Sequence, residues 1–372
     1  MTRTVDAAVI PDHDADGFEV ESVELEEPRS KEVRIDVEYA GVCHTDWHAV
    51  EGDLPSRHYP TVGGHEGAGV VTEVGEGVDH VDVGDRVVTV WVPGCGRCDQ
   101  CVRGNQHLCV NGGSNLTRGP QPDGTFRMRQ GDADVGQYLL LGTFATETVV
   151  SADAVVPVPD DLPLDVASIV GCGVATGFGS VAYRADVDPN DTVVVIGAGN
   201  VGLNAVRGAV QAGAGRIVAS DPLANKREMA RQFGATDVVD PTDADPAAVV
   251  ADLTDGAGAD VTVFTVGVGS GELIGEAYQT LGERGELIVT ATSPDDHIDV
   301  PPLDLYLTEK SIKGCLYGGT SPRRSVSEIV DMYLDGRYDL ETLISRTYAL
   351  SDVNEAYRNL LDGEDVHSVL RC

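Results

Sequence analysis

Lysine is nearly absent from this chain: it occurs only at Lys31, Lys226, Lys310 and Lys313, and arginine supplies the remaining positive charge. Against 26 basic residues stand 61 acidic ones, giving a formal net charge of -35 spread along the whole sequence. A surface this negative repels nucleic acid and anionic membranes, so neither is expected as a partner. It also strains the folded state at low salt, whereas at molar salt the screening length shrinks to about 3 Å. The expectation is a protein of a high-salt cytoplasm, and unchanged activity and melting in millimolar salt would count against it. Two further absences concern location. The stretch Met1 to Gly17 is studded with Asp and lacks the apolar region of a secretory signal. No apolar run reads as long enough to span a bilayer. Both point to the cytoplasm.

The 372 residues suffice for two domains, and 42% hydrophobic content with 44 glycines fits a globular protein with many tight turns. Cysteine is not scarce. There are eight, at positions 43, 95, 98, 101, 109, 172, 315 and 372. In a cytoplasmic protein clustered cysteines suggest metal binding before disulfides. Gly41-Val-Cys-His-Thr-Asp-Trp-His48 packs a thiol, two imidazoles, a hydroxyl and a carboxylate behind a strand-like run, Val33 to Tyr39. Gly63-Gly-His-Glu-Gly-Ala-Gly69 adds His65 as a second candidate ligand and Glu66 as an outer or transient one, with flanking glycines that let backbone come close. Gly171-Cys-Gly173 adds Cys172. Cys43, His65 and Cys172 make a set of two thiolates and one imidazole with a fourth position open, the catalytic type of zinc site.

Cys95, Cys98, Cys101 and Cys109 place four thiols in fifteen residues. Four thiolates close a tetrahedral shell, which describes a structural zinc. The rival, a redox Cys-x-x-Cys, needs one pair near a helix start rather than four thiols in a glycine-rich lobe. Residues 110–143 read as a long polar loop, followed by strand-like sequence at Leu139 to Phe144. The alternations Val20, Val23, Leu25 and Val33, Ile35, Val37 read as half-buried strands, and Val70 to Val92 as short strands of a small β-barrel.

The character then changes. Thr192 to Ile196 is a continuous apolar strand, followed by Gly197-Ala-Gly-Asn-Val-Gly202 and a helix to about Ala212. A second strand, Arg216 to Ser220, ends at Asp221. Glycines at this spacing between a strand and a helix let a pyrophosphate approach the helix N-terminus. The acid after the next strand accepts hydrogen bonds from ribose hydroxyls and repels a 2′-phosphate, which favours NAD over NADP. A βαβ unit without cofactor is the bland alternative. Further strands and helices alternate to about Thr290 as a doubly wound sheet requires, Pro301-Pro302 leads out of it, and amphipathic helices near 326–334 and 353–361 close the chain.

With these motifs the chain resembles the zinc-dependent medium-chain alcohol dehydrogenases, in the liver-type and formaldehyde-dehydrogenase branch, over nearly its whole length. The resemblance implies a GroES-like β-barrel catalytic domain, residues 1–173 and 314–372, enclosing a Rossmann domain, 174–313, with the active site in the cleft between. It implies catalytic zinc on Cys43, His65 and Cys172 with Glu66 nearby, and structural zinc on the four clustered cysteines. Thr45 and His48 match the proton relay, and Asp46 the carboxylate that orients His65. Cofactor contacts are implied at Thr176, Gly197, Gly199, Asn200, Val201, Gly202, Asp221 and Lys226. His44 and His367 stand where arginines often hold the pyrophosphate, with a surface or capping role as the alternative. The substrate pocket would include Leu54, Trp91, Phe144 and Thr292, with bulky Trp91 restricting it to small or medium alcohols. Asp123-Gly-Thr-Phe-Arg127 and Leu141 to Phe144 are similar to a branch with tightly held NAD. Leu54 and Gly113 replace the acid and arginine of glutathione-dependent relatives, which argues against a thiol adduct. The implied activity is reversible hydride transfer between an alcohol and NAD in a dimer or tetramer. The competing readings are a formaldehyde dismutase or thiol-adduct dehydrogenase, and a non-catalytic cofactor-binding protein.

Overall fold

The computed structural model describes residues 2–54, 56, 58–113, 116 and 118–372. It forms two compact units, Met1–Cys172 with Ser321–Cys372, and Gly173–Thr320. Residues 314–320 therefore go with the second unit. The edge strand Ser311–Gly314 belongs to its sheet, and the turn Tyr317–Gly319 packs so tightly on the helix Ala175–Gly179 that a side chain on Gly179 would meet the Gly318 carbonyl at 2.6 Å.

In the first unit, strands Arg3–Ile10, Glu19–Leu25, Thr61–Val62, Met128–Gln130 and Ala133–Gln137 close a small barrel. Its interior is filled by Val5, Val9, Val23, Leu25, Val62, Met128 and Val135. The two-residue period places Val23 and Leu25 inward as expected, but Val20 falls on the other face and is exposed. The barrel also corrects the reading of 110–143 as one loop. A short helix, Val110–Gly113, and two barrel strands lie within it, while Ser114, Asn115 and Thr117 lie outside the described residues. Conversely Leu139 to Phe144, expected as strand, begins in a helical turn, with Leu139 and Leu140 at positive φ, and the strand starts only at Glu147.

The second sheet of this unit positions the candidate site. Its longest strand, Glu32–Val42, is flanked by Ala68–Val74 on one side and His367–Arg371 on the other, both antiparallel to it. The pairs Tyr39 with Ala68 and Val42 with Ser368 set the register. Cys43, Glu66 and His367 thus emerge at one end of three adjacent strands although they are far apart in sequence. Gly41 makes room there: a side chain on it would come within 1.9 Å of a Glu66 carboxylate oxygen.

The second unit carries six parallel strands in the order Asp237–Val239, Arg216–Ser220, Thr192–Ile196, Ala259–Phe264, Leu281–Val289, Ser311–Gly314. Val193, Val194 and Val195 are completely buried, as a strand covered on both faces must be. The order reverses between Thr192–Ile196 and Ala259–Phe264, which puts the glycine loop after Ile196 at the point where open α/β sheets bind ligands. Pro302 does not lead out of the sheet. It occupies the first turn of a helix, Pro302–Thr308, where its missing N–H costs nothing.

One expectation about hydrophobic runs is corrected as well. Among the described residues the helical stretch Leu164–Arg184 is long and apolar enough to cross a membrane by length and composition, but 83% of its most apolar window is buried inside the protein. It is a core helix here.

Candidate active site and cofactor site

Cys43 caps the N-terminus of the helix His44–Glu51, which ends at Gly52 in the left-handed conformation. From this helix the side chain of Asp46 turns inward, completely buried, and its two oxygens have separate tasks. One accepts a hydrogen bond from the Gly64 backbone N–H at 2.8 Å, and the other lies 2.9 Å from Nδ1 of His65. A carboxylate here keeps the imidazole proton on Nδ1 and leaves Nε2 as a lone-pair donor. That Nε2 is 3.2 Å from the sulfur of Cys172. Ligand atoms of Cys43, His65, Glu66 and Cys172 all lie within 4.8 Å of one another.

The groups of this cluster shift one another's protonation. The hydrogen bond from Cys172 holds the Cys43 thiol well below its usual pKa, and the same bond, with burial, pushes Cys172 well above. The two sulfurs behave as a pair sharing a proton. Burial works against protonation of His65, but the charges of Asp46 and Cys43 outweigh it and raise its pKa well above the usual value. Two sulfurs, an imidazole and a carboxylate that gather this closely, three of them buried, fit a zinc ion in donor type and number. Cys43 is the less buried cysteine of the two, so the cluster opens on its side.

Around it the structure separates the expected roles. Thr45 Oγ1 lies 3.7 Å from the Cys43 sulfur. His48 is buried on the same helix, and the indole of Trp91 lies against Cys172. Leu54 is half-buried and lies just beyond the end of the helix, after Gly52 and Asp53. Phe144 does not line an open pocket. It is fully buried, in contact with the rings of Phe18 and Tyr357 at centroid distances of 5.7 and 6.3 Å, and so belongs to the aromatic core behind the cluster. Thr292 lies in the second unit, bridged to Val268. Two residues that sequence reading passes over brace the site instead. The Tyr138 hydroxyl donates to the carbonyl of Thr45 at 3.0 Å, and that of Tyr357 to the carbonyl of Cys43 at 3.2 Å. No local motif could have announced them, since both act through backbone carbonyls.

The two histidines assigned by resemblance to cofactor phosphates differ. His44 begins the helix, half-buried, with its ring 4.8 Å from that of His48, and burial lowers its pKa. His367 is neither a surface nor a capping residue. It is buried, with Nε2 2.7 Å from Glu66 Oε2. Burial disfavours its charged form, but Glu66 overrides this and raises its pKa.

The ligand atoms of Cys95, Cys98, Cys101 and Cys109 also lie within 4.8 Å of one another. Backbone N–H groups of Cys95 and Gly112 point at the Cys109 sulfur at 3.4 and 3.3 Å, and Asn111 donates to Cys95 at 3.2 Å. Slight burial pushes the Cys95 thiol up, but hydrogen bonds from the Arg97 backbone and Asn111 prevail and bring it to about 6. Burial and its bond to Cys98 raise Cys101 to about 12. A four-thiol nest with N–H donors aimed at sulfur fits a closed zinc shell.

In the second unit Gly197 has φ +92, and a side chain on Gly202 would meet the Gly197 carbonyl at 1.8 Å, so the helix Asn200–Ala212 seats directly on the loop. A side chain on Gly199, by contrast, would meet nothing within 4 Å. The helix carries no side-chain cap at this end. Open space at a helix N-terminus is the cradle a phosphate needs. Asp221 stands beside it, one oxygen accepting from Ala198 N at 2.9 Å and the other from Leu223 N at 2.8 Å. Each carboxylate oxygen retains a lone pair for a ribose hydroxyl. Asn200, Val201, Thr176 and Lys226 are all half-buried, the last on the helix Ala224–Phe233.

A sulfur–imidazole cluster beside a barrel and a glycine loop at the switch point of a parallel sheet are the parts of a zinc-dependent dehydrogenase. Residues 29–160 match the family described as alcohol dehydrogenase GroES-like domain, and residues 200–334 match zinc-binding dehydrogenase. The chain belongs to the zinc-dependent medium-chain alcohol dehydrogenases. It is 41% identical over 355 residues to an NDMA-dependent alcohol dehydrogenase of Amycolatopsis methanolica, covering 95% of each chain. Among solved structures it superimposes on an alcohol dehydrogenase zinc-binding domain protein from Burkholderia ambifaria with a TM-score of 0.94 at 29% identity, covering 100% of this chain and 99% of the other. Benzyl alcohol dehydrogenase from Acinetobacter calcoaceticus gives 0.92 at 30% identity, covering 99% of both. The protein is thus an oxidoreductase that exchanges hydride between a small-molecule alcohol and NAD, with zinc as its metal.

Proposed function

We propose that Cys43, His65 and Cys172 hold the catalytic zinc with Glu66 as a nearby donor, and that Cys95, Cys98, Cys101 and Cys109 hold the structural one. The single observation behind this is the convergence of the first four side chains within 4.8 Å from three separate parts of the sequence. When bound, zinc supplies Lewis-acid pull on the alcohol oxygen and NAD supplies the hydride acceptor. The chain's own residues do the rest. Asp46 orients His65, Thr45 receives the alcohol proton, and buried His48 passes it outward. Tyr357 and Tyr138 hold the backbone of Cys43 and Thr45 in place. His367 pairs with Glu66 rather than with a phosphate, while His44, at the open end of the helix, keeps its assignment to the cofactor. Trp91 and Leu54 remain as pocket residues, without Phe144. Trp91 favours small or medium primary alcohols.

Thr176, Gly197, Gly199, Asn200, Val201, Gly202 and Lys226 would contact NAD, and Asp221 would select it. Asp221→Ser should shift the ratio of kcat/KM for NAD over NADP by about 10²-fold toward NADP, in keeping with the ~1.5–3 kcal/mol of a hydrogen bond to a charged group. Steady-state kinetics with both cofactors measures this, and an unchanged ratio would remove Asp221 from cofactor choice.

A second reading keeps NAD permanently bound. It is favoured by the Amycolatopsis relative, whose name states a dependence on NDMA. NAD that accompanies the protein through gel filtration would support it; activity that requires added NAD would not. A homo-oligomer is supported by the helix Pro302–Thr308, where Leu303, Tyr306 and Leu307 are 67%, 75% and 67% exposed just before the edge strand Ser311–Gly314 in sequence. Light scattering that gives only the monomer mass of 39.1 kDa would exclude this. A cytoplasmic location follows from the same reading.

A further inference from the structure

His48 is 2% exposed, and a buried imidazole that has to accept a proton needs something to fix its tautomer and to balance the charge it gains. Among the described residues the one hydrogen-bonding partner of its ring is Asp53, whose Oδ2 lies 3.3 Å from His48 Nδ1. The chain goes to some length to bring this carboxylate back. The helix ends at Gly52, φ +88, and the N–H groups of both Gly52 and Leu54 bond to the His48 carbonyl, at 3.0 and 3.2 Å. Residue 53 is thereby folded over the helical turn that carries the imidazole. The side chain of Asp53 is 26% exposed, whereas that of His48 is 3%. The pair therefore spans the step from buried to wet.

We propose that Asp53 is the positioning residue of the proton relay. It holds the proton of the neutral His48 ring on Nδ1, so that Nε2 is the acceptor. When the alcohol proton arrives at Nε2, the imidazolium stands opposite the carboxylate, and the excess proton leaves to water at the exposed side of the pair. No other reactant is consumed. His44, with its ring 4.8 Å from His48, is the second ionisable group on this helix that faces the ring, and Cys43, Glu51 and Asp53 are the other ionisable groups that act on His44. A cation on His44 would oppose charge on His48, which makes the carboxylate the more necessary. The same contact read as mere structure would be a helix-end cap with no bearing on turnover.

This inference rests on His48 being the relay base, so the test separates the two. Asp53→Asn, His48→Gln and the double variant are compared in alcohol oxidation with NAD between about pH 7 and pH 10. Asparagine keeps the shape but offers either a neutral acceptor or a donor that forces the wrong tautomer. Asp53→Asn should lower kcat about tenfold near pH 7, a part of the ~10² or more that general acid–base catalysis contributes. KM for alcohol and NAD should not change, the loss should fade toward pH 10 where hydroxide removes the proton directly, and Asp53→Glu should restore much of the rate. The double variant should be no slower than His48→Gln alone. If His48→Gln is slow while Asp53→Asn matches the parent enzyme, or if the two losses multiply, the relay stands and the role of Asp53 is overturned. If His48→Gln itself turns over normally, the relay falls and the inference with it.

Discussion

Replacing Cys43 with serine should lower kcat/KM for alcohol oxidation by about 10³-fold or more, the several kcal/mol of charge stabilisation a Lewis acid contributes. NAD binding should persist within about twofold, because the glycine loop and Asp221 belong to the other folded unit and are left unchanged by the substitution. A serine hydroxyl is a poor substitute: it holds its proton far more tightly than a thiol, and the Cys43 thiol is held well below its usual pKa by Cys172 and His65. The fold should tolerate the change. Cys43 caps its helix without a side-chain hydrogen bond, so no cap is lost. Fluorescence titration with NADH alongside turnover measures both halves of the expectation. An active Cys43→Ser enzyme would mean that the cluster is not the reaction centre.

The second large effect concerns stability. Arg127 is completely buried, and its Nε donates to Glu32 Oε2 at 2.7 Å while Nη2 reaches Asp123 Oδ2 at 2.6 Å and the second oxygen of Glu32. Burial works against its charge, yet the bonds to Glu32 and Asp123 prevail and raise its pKa further. Arg127→Ala leaves Glu32, 6% exposed, without its countercharge. Breaking a buried pair on one side costs roughly 3–5 kcal/mol. For a unit of this size that lowers Tm by about 10 °C. Replacing both partners, Arg127→Met with Glu32→Leu, should recover most of the loss, since neither charge is then stranded. Calorimetry on the three proteins decides it. A single variant as stable as its parent would show that Asp123 and Glu32 are accommodated by water.

That ion pair also shows where the sequence is silent. Asp123-Gly-Thr-Phe-Arg127 is similar to a stretch of the branch with tightly held NAD. In three dimensions it is a brace whose main partner, Glu32, is 95 residues away. Cys43, His65, Cys172 and the clustered cysteines are legible because metal ligands come from a short list of side chains. The glycine loop is legible because a strand, three glycines and a helix are all local. His367 and Tyr357 are not, because their places are set by a last strand that pairs with Glu32–Val42 and a helix near it, after more than 300 intervening residues. Phe144 is misread for the opposite reason: its neighbours in sequence lie near the site, while its ring points into the core with Phe18. Asp53 escapes notice because only the left-handed turn at Gly52 folds it back onto His48.

The two groups of side chains are proposed to hold one divalent ion each, one for chemistry and one for structure. Elemental analysis of the purified active enzyme, repeated on Cys43→Ser, tests it directly. Two zinc ions per chain are expected in the parent and one in the variant, with the remaining ion released only as the 95–109 lobe unfolds. A fully active parent protein without zinc, or an unchanged zinc content in Cys43→Ser, would contradict it.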